Sequence, residues 1–473
     1  ALSGEVNTLN IDGQEFRDLN KNGQLDKYED HRNLPVDRAN DLLRKMTLEE
    51  KVGQMFHPPF ILKPDLLMFL YEIAIRGNSS TESQIIFDHI THFNLYGNPS
   101  PAELAKKINS LQKTASRSRL GIPITISSDP IHEVPKGGGV ASFSVDGFSK
   151  WPSQLGFAAT SNPKIIREFA EIVRDEYLAV GIRTALHPMS DLATEPRWAR
   201  NFGTFGSNAE MSSKMTIEYM NGFQQNDIGN KSVLTMVKHF PGGGPQENGL
   251  DPHLFSGRNQ IYPGNNFEYH LSPFREAIKN NLKVIMPYYG IPVGQTDEDV
   301  AMAFNKYILK DLLREELNFD GVICSDWGII TGRHWGVDEL SIEQRYEKSI
   351  KAGIDQYGGE KDTDYLIDLV KNGQITEVRI DESVRRILLN KFELGLFDNP
   401  YVNEELVKYK VNTQDNIEAG LEAQRKSIVL LKNNGILPLK KGSKIFVDGL
   451  SEGEAREFGE LVKDPDDADA VIM

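Results

Sequence analysis

The sequence has a single cysteine, Cys324, among 473 residues. An internal disulfide and a cysteine-based zinc cluster are therefore excluded. No apolar run approaches the ~20 residues that a membrane-spanning helix needs, so no membrane span is expected. The chain also lacks a positive net charge. Its 68 acidic residues outnumber its 53 basic ones and give a net charge of −15. This balance argues against a polyanionic partner such as nucleic acid and favours a small-molecule or neutral substrate.

The chain does contain enough apolar residues, 39% of the total, to bury a sizeable core. A chain of 473 residues can hold one large domain and part of another. It starts at Ala1 instead of Met, which suggests that an upstream segment such as a signal peptide has been removed. This start favours an extracytoplasmic location.

Residues 18–29 fit the twelve-residue calcium loop of an EF-hand. Oxygen-bearing side chains stand at loop positions one, three, five and nine, Gly23 takes the sharp turn, and the twelfth residue can bind bidentately. The predicted ligands are Asp18, Asn20, Asn22, Gln24, Asp26 and Glu29. The residues before the loop do not resemble a helix, so we expect one structural Ca²⁺ site in an N-terminal segment, residues 1–35. A polar Asn/Gly turn is the alternative. Because free calcium is scarce in the cytosol, such a site also favours a periplasmic or secreted protein.

Strand-like and helix-like segments alternate from residue 36 to residue 398. Thr47 and Glu50 form the pattern of a capping box at the start of this region. Helical stretches are predicted at 163–179, 209–224, 271–280, 304–317 and 343–352. The strand candidates are 53–57, 92–96, 124–129, 183–188, 234–240, 283–289, 321–326 and 354–357. Eight strands alternating with helices predict an α/β fold, a (β/α)₈ TIM-like barrel.

Several predicted strands end on polar or ionisable residues. The apolar run 322–324 predicts a buried strand, and it is followed closely by Asp326 and Trp327. Because the C-terminal ends of barrel strands converge on one mouth, we expect these side chains to form a site. For Asp326 taken alone, the alternative is that it caps the next helix. The other strand-end residues are Asp129, His187, Lys238, His239, Tyr288 and Tyr289.

The pattern changes after residue 398. Residues 399–443 are predicted as a linker, and apolar runs at 444–447 and 468–473 predict two further strands. Two strands cannot bury a core of their own. We therefore expect residues 444–473 to be the start of a second α/β sandwich domain.

These motifs, in this order, resemble those of glycoside hydrolase family 3. The resemblance runs across nearly the whole chain, and the order and spacing of the segments make it more specific than any one of them. The matching segments are residues 46–55 (MTLEEKVGQM), 121–132 (GIPITISSDPIH), 196–200 (PRWAR), 238–242 (KHFPG), 325–328 (SDWG) and 427–432 (SIVLLK).

The resemblance implies a retaining, exo-acting β-glycosidase of the β-glucosidase type. Such an enzyme would release terminal glucose, or xylose as the alternative, from the non-reducing end of β-linked oligosaccharides or from aryl β-glycosides, without a catalytic cofactor. Asp326 would be the nucleophile that forms a covalent glycosyl-enzyme. Trp327 would be a stacking wall for the sugar, with packing at the barrel mouth as an equal alternative. The sugar-binding residues implied by the resemblance are Asp129, Arg200, Lys238 and His239, with Tyr289 near the nucleophile.

The acid/base residue is left open by the sequence. The family usually takes an acid/base glutamate from its second domain, and none of the glutamates in 452–460 stands out. One branch, the β-N-acetylglucosaminidases, uses an Asp-x-His pair on the loop after the Lys-His motif. Here the nearest pair, Asp251 and His253, lies farther along and is split by a proline, so it could serve as acid/base, orient the loop or contact the substrate. A β-N-acetylglucosaminidase, or a non-catalytic glycan-binding protein, are therefore the alternatives. Linkage, sugar preference and oligomeric state are not specified.

Overall fold

The computed structural model describes residues 6–63, 80–134, 145–449 and 451–473, so residues 1–5 of the predicted N-terminal segment lie outside the described part. The chain forms two compact units, Ala1–Ser427 and Ile428–Met473. The division falls inside the stretch that the sequence predicts as a linker. No helix in the described ranges has the length and the apolar character needed to cross a membrane.

The strands of the first unit are mostly short and parallel. Their bounds are β1 Asn7–Ile11, β2 Gln14–Asp18, β3 Phe56–His57, β4 Pro59–Ile61, β5 His92–Tyr96, β6 Thr125–Ser128, β7 Ile182–Ala185, β8 Leu234–Phe240, β9 Asn259–Gln260, β10 Val284–Pro287, β11 Ile291–Pro292, β12 Val322–Ile323 and β13 Tyr357–Gly358. Strands β1 and β2 form an antiparallel hairpin that leads into the predicted calcium loop.

Seven of these strands form one sheet in the order β12-β10-β8-β7-β6-β5-β4. Strands β3 and β13 pair in parallel as a second, two-stranded sheet. This pair is continuous with β4 through Pro58, and an isolated parallel bridge between Cys324 and Gln356 joins it to the β12 side. The strands thus follow one another in the TIM-like order that the sequence predicts, although they form two separate sheets and not one closed barrel.

Helices follow most of these strands. Their bounds are α1 Pro35–Lys45, α2 Leu48–Gln54, α3 Thr81–Phe87, α4 Pro101–Ser116, α5 Gln154–Ala159, α6 Pro163–Val180, α7 Ala209–Gln224, α8 Phe267–Lys279, α9 Ile342–Ala352, α10 Asp364–Lys371, α11 Glu377–Glu393, α12 Val407–Lys410 and α13 Gln414–Lys426. A π-helix covers Tyr307–Glu316, where the sequence predicts an ordinary helical stretch.

Helix α6 shows how local sequence builds these elements. Asn162 caps its N-terminus by accepting a hydrogen bond from the Lys164 N–H, and Gly181 ends it in the left-handed region at φ 95°. The face between them buries Ile166 and Phe169, among others. Each such side chain contributes roughly 1.5–3 kcal/mol when it leaves water. The helix is therefore held by packing as well as by its caps.

The first strand prediction, 53–57, is partly wrong. Gly53 and Gln54 are the last residues of α2, and the strand begins at Phe56. The Thr47–Glu50 capping box forms as predicted and starts this short helix. A Cβ atom at Gly53 would lie 2.5 Å from the carbonyl oxygen of Asp88, so glycine is needed there for close packing.

The second unit contains a parallel three-stranded sheet in the order β15-β14-β16, where β14 is Lys444–Val447, β15 is Glu460–Leu461 and β16 is Ala470–Ile472. A one-turn helix, α14 Glu452–Ala455, connects two of them. Two of the strands match the sequence prediction. The third, β15, has only two residues and carries no periodic pattern that could have indicated it.

Candidate active site

Asp326 lies just past the C-terminal end of β12 and is 7% exposed. Its Oδ1 accepts a hydrogen bond of 2.8 Å from the Trp327 N–H. No described residue donates a hydrogen bond to Oδ2, and His239 Nε2 lies 3.8 Å from that atom. The next α-helix begins only at Ile342, with Ser341 as its N-cap. The alternative of Asp326 as a helix cap is therefore wrong, and one carboxylate oxygen is left for another partner.

Lys238 and Asp129 form a buried ion pair across the mouth of the sheet. Lys238 Nζ lies 2.9 Å from Asp129 Oδ1. Asn94, on β5, donates a 3.2 Å hydrogen bond to the other oxygen of Asp129. Side chains from β5, from β8 and from the residue after β6 thus meet in the sheet.

His239, next to Lys238 on β8, is held by a residue that the sequence did not indicate. Its Nδ1 lies 2.8 Å from Oδ2 of Asp191, a fully buried carboxylate. Burial alone would raise the pKa of Asp191, but His239 and the hydrogen bond from the Gly243 N–H outweigh it and lower that pKa. Burial lowers the pKa of His239. A neutral ring with its proton on Nδ1 presents Nε2 as an acceptor toward the rest of the site.

Arg200 contacts this free side of His239. Its Nη1 lies 3.3 Å from His239 Nε2 and donates a 3.3 Å hydrogen bond to the Tyr288 hydroxyl. The guanidinium is buried, which by itself would lower its pKa, but Tyr288 and the charges of Asp251 and Asp326 raise it above the ordinary value. The positive charge of Arg200 is therefore supported by two carboxylates, Asp251 and Asp326, that lie on different loops.

Tyr289 connects the end of β10 to the nucleophile candidate. Its hydroxyl donates a 2.8 Å hydrogen bond to the carbonyl oxygen of Trp327. Arg333 donates a 2.9 Å hydrogen bond to the same oxygen. Burial raises the pKa of Tyr289 well above its usual value, and the charge of Asp326 adds to this. The carbonyl of Trp327, the residue that follows Asp326, is thus fixed by two donors.

Trp327 is mostly covered, with 9% of its surface exposed. Its ring packs 5.3 Å from that of His57. A Cβ atom at Gly358 would lie 2.6 Å from Trp327 Cε3, so the indole lies directly on the backbone of β13. Its Nε1 has no hydrogen-bond partner among the described residues.

Glu360 is a second carboxylate that sequence reasoning missed. It follows β13 and is 4% exposed. Its Oε1 accepts hydrogen bonds of 2.9 Å from the Ile330 N–H and 3.1 Å from the Thr331 N–H. These donors belong to the turn that follows Trp327. Burial raises the pKa of Glu360 to about 7. Glu360 lies just beyond the predicted strand 354–357, and no sequence pattern there indicated a site residue.

Asp251 and His253 fold together at this mouth even though Pro252 separates them. Asp251 Oδ1 lies 2.5 Å from His253 Nδ1. The indole of Trp198 and the hydroxyl of Tyr288 donate hydrogen bonds of 2.8 Å and 3.2 Å to Asp251 Oδ2. Burial would raise the pKa of Asp251, but the hydrogen bond and charge of His253 hold it below its usual value.

The His253 ring lies edge-on to Tyr289, with the ring centroids 4.8 Å apart. Tyr289 in turn donates its hydrogen bond to the carbonyl of Trp327, the residue next to Asp326. The Asp251–His253 pair therefore belongs to the same cluster as the nucleophile candidate. The sequence did not indicate this proximity, because the pair lies on a long loop.

The predicted calcium ligands extend from Asp18, the last residue of β2, to Glu29 in the loop that follows. Gly23 adopts φ 77°, as the sharp turn requires. Glu29 accepts hydrogen bonds from the N–H groups of Leu19 and Asn20, while Lys45 Nζ lies 2.6 Å from Asp26 Oδ1. In the described part of the chain no three His, Cys, Asp or Glu side chains converge as metal ligands. The oxygen donors suit a hard cation, but one of them is paired with Lys45.

Comparisons with known proteins show the family of the chain. Residues 47–389 match the model of the glycosyl hydrolase family 3 N-terminal domain. The chain is 47% identical over 455 residues to β-glucosidase C of Emericella nidulans, and the match covers 92% of this chain and 72% of that relative. It is 39% identical over 496 residues to a periplasmic β-glucosidase/β-xylosidase of Dickeya chrysanthemi, and the match covers 98% of this chain and 75% of that relative.

The fold is similar to that of a solved β-glucosidase from Erythrobacter marinus, with a TM-score of 0.75 at 23% identity, over 92% of this chain and 59% of that one. The chain thus spans more than two thirds of these curated relatives but less of that solved structure. The family match extends across the strands and loops that carry Asp129, Arg200, Lys238 and Asp326. The chain belongs to glycoside hydrolase family 3.

Proposed function

We propose that this chain is a retaining, exo-acting β-glucosidase with Asp326 as the nucleophile. The observation that carries the proposal is the state of the Asp326 carboxylate. One oxygen is held by the Trp327 N–H, while the other accepts no hydrogen bond from the described residues. A buried carboxylate oxygen without a donor is costly to desolvate and is therefore well suited to attack a carbon that develops positive charge.

The reaction would follow the two steps of retaining glycosidases. Asp326 Oδ2 attacks the anomeric carbon as its bond to the leaving oxygen breaks and that oxygen receives a proton. Water then attacks the same carbon, gives its proton to the residue that acted as acid, and releases Asp326. Two displacements on one carbon return the β configuration.

The terminal sugar would lie against the cluster of charged groups around Asp326. Asp129, with its partner Lys238, and the Arg200–His239 pair present acceptors and donors suited to vicinal hydroxyls. A pocket built on buried hydrogen bonds rejects ligands that leave them unpaired. This argument supports selection for a sugar with free hydroxyls, hence exo action at a chain end.

We infer that the Asp251–His253 pair supplies the proton. His253 Nδ1 is bound to Asp251, so Nε2 is the nitrogen that remains for proton transfer. The pairing of a buried carboxylate with an imidazole supports general acid–base work. This pair is also the observation that favours a β-N-acetylglucosaminidase as a second candidate. The names of the relatives, β-glucosidase and β-xylosidase, support a glucoside or xyloside.

The test is covalent trapping with an activated 2-deoxy-2-fluoro-β-glucoside, followed by intact mass and peptide mapping. We expect one added fluoroglucosyl group on Asp326, no labelling of the D326N variant, and full labelling of the control D297N, which removes an exposed carboxylate. Absence of labelling together with no hydrolysis of aryl glucosides would leave a glycan-binding protein. Hydrolysis of an aryl N-acetylglucosaminide but not of an aryl glucoside would establish the second candidate.

We also propose a structural Ca²⁺ in the loop of residues 18–29 and an extracytoplasmic location. The oxygen-rich ligand set and the turn at Gly23 support the metal, and two relatives are named periplasmic. Calcium would have to displace Lys45 from Asp26. We expect added calcium to raise the melting temperature and K45M to increase that rise, whereas a melting temperature unchanged by calcium and by chelation would refute the site.

A further inference from the structure

Asn94 and Ser127 lie side by side next to the Asp129–Lys238 ion pair, and the proposed reaction gives neither of them a role. They are directly opposite each other in the parallel pair formed by β5 and β6, and neither residue has exposed surface. A buried carboxamide or hydroxyl is costly unless it is hydrogen-bonded. The partners of these two side chains inside the sheet therefore indicate what the side chains do.

A continuous chain of hydrogen bonds passes through both side chains. Asn94 Nδ2 donates a hydrogen bond of 3.2 Å to Asp129 Oδ2. The Ser127 hydroxyl donates one of 2.9 Å to Asn94 Oδ1, and His57 Nε2 lies 2.8 Å from the Ser127 hydroxyl oxygen. Lys238 Nζ lies 2.9 Å from the other oxygen of Asp129. The chain of hydrogen bonds thus runs from His57 on β3 to Lys238 on β8.

The direction of each hydrogen bond in this chain follows from its carboxylate end. A carboxylate only accepts, so the Asn94 amide turns its NH₂ group toward Asp129 and its oxygen toward Ser127. The Ser127 hydroxyl then donates to Asn94, with the Phe93 carbonyl oxygen as a more distant acceptor at 3.4 Å, and accepts from His57 Nε2–H. Burial lowers the pKa of His57 to about 3, so its ring is neutral and Nε2 carries the one proton.

His57 fixes the far end of the chain against the strand and turn that carry the nucleophile candidate. Its ring centroid lies 5.3 Å from that of Trp327, the residue after Asp326. Its Nδ1 lies 4.0 Å from Cys324 Sγ. The hydrogen bonds therefore connect the surroundings of Asp326 with those of Asp129 through the inside of the sheet.

The orientation of the Asp129 carboxylate depends on this chain. Asn94 and Lys238 each hold one of its two oxygens, so the carboxylate is not free to rotate. Each carboxylate oxygen accepts more than one hydrogen bond, so Asp129 can also accept from a sugar hydroxyl. A site that fixes a buried acceptor in this way rejects a ligand that lacks the matching hydroxyl.

We propose that Asn94 and Ser127 are positioning residues that hold Asp129 in the orientation that selects one hydroxyl of the terminal sugar. Asn94 acts on Asp129 directly, and Ser127 acts by fixing the orientation of the Asn94 amide. The inference rests on the proposed function, because it requires that Asp129 binds the sugar. It places part of the specificity of the site in a buried layer that does not contact the substrate.

The first experiment measures kcat/KM for 4-nitrophenyl β-glucoside and for its monodeoxy analogues, which lack the hydroxyl at C2, C3, C4 or C6. We expect N94A to lower kcat/KM for the parent glucoside by about 10- to 100-fold, because a hydrogen bond to a charged group is lost. On the analogue that lacks the hydroxyl bound by Asp129, N94A should cost much less, and D129N should show the same pattern. S127A should give a smaller loss with the same dependence on the substrate.

The variant N94D tests the same role through the pH profile of kcat/KM. Its carboxyl group would stand beside Asp129, and two adjacent carboxylates share one proton. With that proton the new group donates to Asp129 as the amide does, and without it the two negative charges repel. We expect N94D to approach wild-type kcat/KM at low pH and to lose it as the pH rises. Lys238 and Glu133 also face Asp129, so the ratio of variant to wild type at each pH is compared.

The control N372D adds the same charge at an exposed position and should leave kcat/KM and its pH profile unchanged. An equal loss for N94A on the parent glucoside and on every analogue would overturn the proposal, since it would reflect a general disturbance of the fold. A constant ratio of N94D to wild type across the pH range would overturn it as well, and decides the matter if N94A does not fold. Failure of the proposed function is distinct, because the unaltered chain would then show neither fluoroglucosyl trapping nor hydrolysis of the parent glucoside.

Discussion

His239 Nδ1 lies 2.8 Å from Oδ2 of Asp191, a carboxylate with no exposed surface. Asp191 also accepts the Gly243 N–H, so it ties the His239 ring to the start of the loop that carries the Asp251–His253 pair. One buried side chain therefore orients an imidazole beside Asp326 and anchors the loop of the proposed proton donor.

Replacing Asp191 should damage both stability and turnover. We expect D191A to lower the free energy of unfolding by about 3 kcal/mol, because it removes one member of a buried hydrogen-bonded pair. We also expect kcat/KM for an aryl glucoside to fall. The control D297N should change neither the free energy of unfolding nor kcat/KM. Urea unfolding and steady-state kinetics measure these effects. Normal kinetics in a folded D191A protein would show that His239 needs no positioning.

The loss of rate on replacing His253 should depend on how strongly departure of the leaving group requires protonation. We expect H253N to slow hydrolysis of methyl β-glucoside by ~10²–10⁴, the usual worth of general acid–base catalysis. Glycosylation by 2,4-dinitrophenyl β-glucoside should change little, because that leaving group departs without a proton. Pre-steady-state measurement of dinitrophenol release separates the two steps. An equal loss on both substrates would contradict the role of His253 as acid.

Glu360 should make stability fall as pH rises. Its carboxyl has a pKa of about 7 in the folded protein against 4.5 for an ordinary glutamate, so the folded state binds its proton more tightly than the unfolded state does. The resulting stability is present below pH 4.5, is lost as pH rises through about 7, and amounts to at most about 3 kcal/mol.

The E360Q variant should remove this part of the pH dependence, since an amide does not titrate in this range. Glu133, whose pKa burial also raises to about 7, should preserve a second contribution in the variant. Urea unfolding at several pH values between about 4.5 and 7.5 measures the slopes. Identical slopes for the two proteins would mean that Glu360 titrates normally.

The effects of substituting Lys238 and Asp129 on the free energy of unfolding should be coupled. Removing one partner leaves the other charge buried, so we expect K238M and D129N each to cost about 3–5 kcal/mol, whereas the double variant costs less than their sum. Both single variants should also raise KM for glucosides. A double-mutant cycle from urea unfolding measures the coupling. Additive costs would mean that the two charges are stabilised independently.

Gly358 should tolerate no side chain, because a Cβ atom there would lie 2.6 Å from Trp327 Cε3 and 2.7 Å from the Ser325 carbonyl oxygen. We expect G358A to displace Trp327 and slow fluoroglucosyl trapping of the adjacent Asp326. The control G229A places its methyl group where no atom lies within 4 Å. Trapping rates by intact mass compare the two variants, and equal rates would show that Trp327 can move without consequence.

The α/β class, the order of strands and the polar strand ends could be read from the sequence alone. Alternation of apolar runs with helical spacing is a local property, and Asp129, Lys238, His239 and Asp326 lie within three residues of the ends of such runs. Because strand ends in this fold share one mouth, local pattern was sufficient to group them.

The tertiary structure decided which groups contact one another. Asp191 and Glu360 stand past the ends of the predicted strands, and their partners lie 48 and 30 residues away in the chain. The Asp251–His253 pair joins the cluster only because the loop folds back onto Trp198, Tyr288 and Tyr289. Such contacts depend on the path of the backbone between distant segments, and no periodicity in the sequence records that path.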